Sequence, residues 1–121
     1  MKLLLIIMFL VTTFYANAQV QYQMIPDENH PGTEIPVGII SKQVVMNDTA
    51  YKWYAQNQKI YKPDTSAVSA FKKNKTSLNY VIFGGTWCED TQVILLKFFI
   101  LQQRAGVADD RITFFAVNRQ K

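Results

Sequence analysis

The chemistry-bearing stretch of the chain is Gly84-Gly85-Thr86-Trp87-Cys88-Glu89-Asp90-Thr91, and Cys88 is the single cysteine in 121 residues. It stands where an apolar run gives way to a helix-forming one. Free N–H groups and the positive end of the macrodipole at a helix N-terminus favour a thiolate, the state that attacks disulfides, so position makes Cys88 a candidate nucleophile. Thr91, three residues on, is placed to reach back across the first turn and donate its hydroxyl to the sulfur. Glu89 and Asp90 oppose a second negative charge while they stabilise the helix start, which leaves the sign of the net shift open. The competing role for Cys88 is a small semi-buried residue with Thr91 as helix filler. One cysteine allows no internal disulfide; in an oxidising compartment it is either buried and inert, or exposed and available for mixed disulfides. His30, between Asn29 and Pro31, has no cysteine or second histidine beside it and reads as a plain loop residue, so neither a metal nor a cofactor is expected.

The elements that must position this stretch are legible as patterns. Tyr80-Val81-Ile82-Phe83 is a short β-prone run ending at Gly84-Gly85 and predicts a buried strand. From Thr91 to Arg104 the chain is helix-forming, acidic at its start, basic near its end and stopped by Gly106. Ile112 to Val117 predicts a second buried strand, and strand, helix, strand in this order implies a parallel β-α-β unit. Between Val93 and Leu101 the only polar residue is Lys97. Such a helix is apolar nearly all round and needs cover on more than one face. Upstream, Asp64 or Thr65 opens a helix with Ala67, Val68 and Phe71 inward, fading near Asn74. Asp48 and Thr49 cap another from about Ala50 to Ile60, whose Tyr51, Trp53 and Tyr54 read as packing aromatics. From Gln19 to Gly38, Pro26, Pro31, Gly32 and Pro36 predict an extended leader with turns.

The N-terminus belongs to targeting. Met1-Lys2 is a basic start, Leu3 to Val11 is apolar, and Ala16-Asn17-Ala18 is a small-residue cleavage pattern, which together read as a secretory signal peptide over residues 1–18. Export to a periplasmic or extracellular space is expected, with no stable membrane span after cleavage. The formal charge of +4 is mild and its basic residues are scattered apart from Lys72, Lys73 and Lys75, which suit a solvated helix end; no nucleic-acid footprint is present.

Tyr80-Val81-Ile82-Phe83-Gly84-Gly85-Thr86-Trp87-Cys88 resembles the strand and active-site loop of the thioredoxin superfamily, in which an aromatic residue precedes the first cysteine of a C-x-x-C motif opening a helix. The resemblance covers roughly residues 64–121. It implies an α/β fold, an incomplete thioredoxin-like fold with a parallel β-α-β core preceded by helical segments, divided as leader and helical lead-in over 19–62 and the N-terminal half of the domain over 63–121. It assigns Cys88 to the attacking cysteine and Trp87 to the aromatic residue shielding it. Thr91 occupies the position of the resolving cysteine, Ile82 that of a buried acid, and the segment bearing the family's cis-proline is not in the sequence. The function implied is monothiol thiol–disulfide exchange through Cys88, Thr91 and Trp87, with a protein or small thiol or disulfide as partner and external thiol as resolver. The rival expectation is a non-catalytic binding or structural module, or a truncated inactive fragment. A dimer linked through Cys88 is a further expectation.

Overall fold

The computed structural model describes residues 21–47, 52–59 and 61–120. In chain order its elements are β1 (Tyr22–Pro26), β2 (Glu34–Ile40), α1 (Lys42–Asn47), α2 (Lys52–Asn57), α3 (Thr65–Lys73), β3 (Tyr80–Gly84), α4 (Glu89–Ala105), a 3-10 turn (Asp109–Arg111) and β4 (Ile112–Ala116). The class is α/β, built on one mixed four-stranded sheet in the order β1-β2-β4-β3. β3 and β4 pair in parallel from Tyr80 opposite Ile112 to Gly84 opposite Ala116, with α4 as the crossover between them. β2 pairs antiparallel with both β1 and β4.

Where an extended leader with turns was expected from Gln19 to Gly38, the described residues form the antiparallel β1–β2 hairpin. The prolines that suggested otherwise are accommodated by its register. Ile39 N–H donates to the Gln21 carbonyl and Pro36 lies opposite Met24, so by antiparallel alternation the Pro36 nitrogen faces away from β1. On that side β4 pairs only from Gly38 onward, and no ladder bond is lost. α1 was not anticipated. The predicted cap at Asp48 and Thr49 lies outside the described residues, whereas α2 falls inside the helix expected there.

α3 follows its sequence signals: the Asp64 carboxylate accepts from the N–H groups of Ser66 and Ala67, and Ala67, Val68 and Phe71 are half-buried. α4 starts two residues earlier than its pattern suggested and ends where Gly106 turns into the left-handed region at φ 70°, its N–H returned to the Gln102 and Gln103 carbonyls. That conformation is nearly free of cost only for glycine.

The core lies between the sheet and the helices, where Ile40, Val45, Tyr54, Leu95, Leu96, Phe99, Ile100, Phe114 and Ala116 form one buried cluster. Phe71 stacks on Tyr80 at 5.2 Å, and Phe98 meets Tyr80 edge-on at 5.6 Å. Buried Gln102 donates to the Val107 carbonyl at 2.8 Å and to Asp109 at 2.6 Å, and accepts from Lys42 at 3.1 Å, tying the end of α4 to α1 and to the approach to β4. The demand for cover on α4 is met on one side only: Leu95, Leu96, Phe99 and Ile100 are buried, while Ile94 is 64% exposed. No described helix is long and apolar enough to cross a membrane.

Candidate functional site

β3 delivers the chain to the Trp87 loop, and two close approaches set the shape of that loop. A Cβ on Gly85 would stand 2.3 Å from Trp87 Nε1, so the indole lies directly against the glycine backbone. A Cβ on Gly84 would stand 2.8 Å from Thr91 Cγ2, so Thr91 packs onto the end of β3. The loop is held by its own bonds: Cys88 N–H to the Gly85 carbonyl at 3.0 Å, and the Gln92 side-chain amide to the Thr86 carbonyl at 2.9 Å. Trp87 Nε1 donates to the Val117 carbonyl at 3.0 Å, across the top of the β3–β4 pair.

Cys88 is the N-cap residue of the 17-residue α4, with extended backbone at φ −94° and ψ 123°. Its side chain is partly exposed. The thiol is held below its ordinary range chiefly by the backbone N–H of Thr91, against which desolvation pushes upward; the Thr91 hydroxyl and the Asp90 N–H add to the lowering, and the Asp90 carboxylate opposes it. The direction left open by sequence is thereby downward: the free N–H groups at the start of α4 favour the thiolate more than the adjacent carboxylate opposes it, although the Cys88 side chain makes no cap hydrogen bond to them. Thr91 acts through its main chain more than through the hydroxyl that sequence reasoning singled out.

Trp87 is part of a larger assembly. The Arg119 guanidinium lies over its ring at 4.4 Å from the centroid. Arg119 in turn grips the Asp27 carboxylate with two bonds, Nε to Oδ1 at 2.7 Å and Nη2 to Oδ2 at 3.0 Å. Asp27 is covered by its immediate neighbours, its side chain 4% exposed, and it also accepts from the Asn29 N–H at 3.1 Å and faces His30 Nδ1 at 2.9 Å. Arg119 holds the Asp27 carboxyl far below the usual carboxylate range despite the opposing desolvation. The same pairing raises Arg119, and negative charge on Cys88 raises it further. His30, read as a plain loop residue, is a member of this cluster.

Cys88, Thr91 and Trp87 are thus together at one end of the β3–β4 pair, as their sequence proximity requires. Asp27 and Arg119 are the residues sequence reasoning did not find. They are 92 positions apart and come together only because the β1–β2 turn and the chain after β4 meet beside the Trp87 loop. No local motif announces either one. Among the described residues, no group of three His, Cys, Asp or Glu side chains is placed to hold a metal ion.

Against protein-family models, curated proteins and solved structures, the chain finds no match.

Proposed function

We propose that this chain is an exported thioredoxin-like protein in which Cys88 carries out monothiol thiol–disulfide exchange. The observation that carries the proposal is the partly exposed Cys88 at the N-cap position of the 17-residue α4, where the free N–H groups of the first turn favour a thiolate. The strand–helix–strand setting, with β3 and β4 parallel and Trp87 just before the cysteine, supports the same reading. In the reaction, the Cys88 thiolate attacks one sulfur of a partner disulfide, the S–S bond breaks, and the other sulfur leaves as a thiolate. Thr91 cannot displace the mixed disulfide from within the chain, so a second, external thiol attacks it and regenerates Cys88. The partner is a protein or small disulfide.

A second reading has its own observation. The Trp87 face that would wall a substrate site is covered by Arg119, which suits a binding module with an incidental cysteine. Alkylation of Cys88 as a function of pH, followed by mass spectrometry of its reaction with oxidised glutathione, separates the two. Monothiol exchange requires an apparent pKa below the unperturbed value of about 8.5 and a glutathione adduct that added thiol removes. A sluggish thiol with no adduct would leave the binding module.

A further inference from the structure

Arg119 reaches Trp87 as a charge that already has a partner. Its Nε and Nη2 donate to the Asp27 carboxylate at 2.7 Å and 3.0 Å, while its guanidinium lies 4.4 Å from the centroid of the Trp87 ring. A planar guanidinium suits both tasks, since its fork matches a carboxylate and its face is attracted to an aromatic ring. The contacts run from Asp27 to Arg119 to Trp87, and Trp87 directly precedes Cys88 in the chain, with adjacent Cα atoms about 3.8 Å apart. In that sequence of contacts the cation is one step nearer the thiol than the anion that balances it. The anion is also the better covered of the two, with side-chain exposures of 4% for Asp27 and 19% for Arg119. The indole is held elsewhere by the Gly85 backbone packed against it and by its bond to the Val117 carbonyl.

We propose that Arg119, anchored by Asp27, is a positioning residue for Cys88: it fixes the indole that leads into the thiol and keeps a positive charge beside the Cys88 loop. The role rests on the exchange reading of Cys88, whose thiolate it favours. Negative charge on Cys88 raises Arg119, and because such coupling is mutual, the guanidinium favours the thiolate by the same interaction. The other charged groups around the loop are Glu89 and Asp90 in the first turn of α4, of which Asp90 opposes the thiolate, and Glu28 and His30 of the β1–β2 turn. Glu28 accepts from the Gln120 side chain at 3.1 Å, and His30 Nδ1 lies 2.9 Å from Asp27 Oδ2 and 3.4 Å from Arg119 Nη2. Arg119 is the permanent cation of this group.

The test is the pH dependence of Cys88 alkylation in wild type, Arg119→Gln and Asp27→Asn, each expressed from the full 121-residue chain. Arg119→Gln removes the cation and is expected to raise the apparent pKa of the thiol by about half a unit, slowing its reaction near pH 7 by about threefold. That shift is smaller than the roughly 1–3 units of an unbalanced neighbouring charge, because Asp27 cancels part of it. Asp27→Asn keeps an acceptor for the guanidinium but removes the balancing charge, and is expected to lower the thiol pKa. A tie that only held the loop together would be loosened by both substitutions and would move the thiol the same way in both. The opposite signs should persist in a His30→Gln background, which takes the neighbouring imidazole out of the titration. Circular dichroism confirms that the variants fold; if Arg119→Gln does not, the sign in Asp27→Asn decides. Shifts in the same direction, or a thiol indifferent to either substitution, would overturn the proposal. The readout is the pKa itself, so it decides on Arg119 even where oxidised glutathione forms no adduct, which is the result that would instead defeat the exchange reading.

Discussion

Replacing Gly85 by alanine tests whether the Trp87 loop is built by close approach. The added methyl would sit 2.3 Å from Trp87 Nε1 and 2.4 Å from Cε2. Ordinary carbon–carbon contact is about 3.5–4.0 Å, so the indole must retreat by more than about 1 Å, or the backbone must shift as far. A retreat of that size breaks the 3.0 Å bond from Nε1 to the Val117 carbonyl, which contributes about 1 kcal/mol. Overpacking adds about 1–3 kcal/mol. The expected loss is therefore about 2–4 kcal/mol, a large fraction of the roughly 5–15 kcal/mol that holds a domain folded. Urea unfolding followed by circular dichroism measures it, and the Trp87 indole N–H resonance in a proton–nitrogen correlation spectrum reports the bond directly. Gly84→Ala is the internal comparison, since its methyl meets the side chain of Thr91 at 2.8 Å, and a rotamer change relieves part of the clash. An unchanged unfolding midpoint together with an unmoved indole resonance in Gly85→Ala would refute the reasoning.

Three further outcomes are expected. The Asp27 carboxyl is lowered in the fold, so its contribution is complete above the unfolded-state value of about 3.9 and drains away as pH falls below it toward the folded value, where the unfolded chain takes up a proton the folded one refuses; urea midpoints between about pH 2 and 6 should therefore fall more steeply in wild type than in Asp27→Asn. Truncating Phe99 to alanine, at 1% exposure in the middle of the core, should cost about 3–5 kcal/mol, and an unfolding free energy within about 1 kcal/mol of wild type would mean the cluster is not the stabilising core. Gly106→Ala meets no atom within 4 Å, so its loss in urea unfolding should be the conformational cost alone, about 1 kcal/mol; no loss would mean the α4 terminus relaxes out of its left-handed turn.

The parts of the fold that were readable carry their signals within a few residues. β3 is a run of β-prone side chains closed by two glycines, although it is not the buried strand expected, since Val81 and Phe83 are exposed; α3 has Asp64 immediately before its first turn, and α4 has acids in its first turn and Gly106 at its end. Each of these is decided by local hydrogen bonding and by which side chains tolerate which backbone. The β1–β2 hairpin was hidden because Pro26, Pro31, Gly32 and Pro36 signal breaks, and only the register shows that Pro36 sits where its missing N–H has no ladder partner. At the site, Cys88, Trp87 and Thr91 were readable as a contiguous motif. The direction of the thiol shift was not, since it turns on a competition between N–H groups and a carboxylate whose distances no sequence gives. The clamp of Asp27 and Arg119 on Trp87 depends on a contact between distant segments and has no period or spacing to reveal it.

The strand order also governs when the molecule can form during synthesis. β4 is the last of the four strands to be translated, yet it occupies an interior position, bonded to β2 on one side and β3 on the other. Until it emerges, the early hairpin and β3 have no main-chain connection, and two loops of very different length must close on the same segment at once. Assembly of the whole sheet is thus tied to the emergence of this one strand: the β1–β2 hairpin can pair by itself, but a ribosome stalled before Ile112 would hold a chain unable to join it to β3.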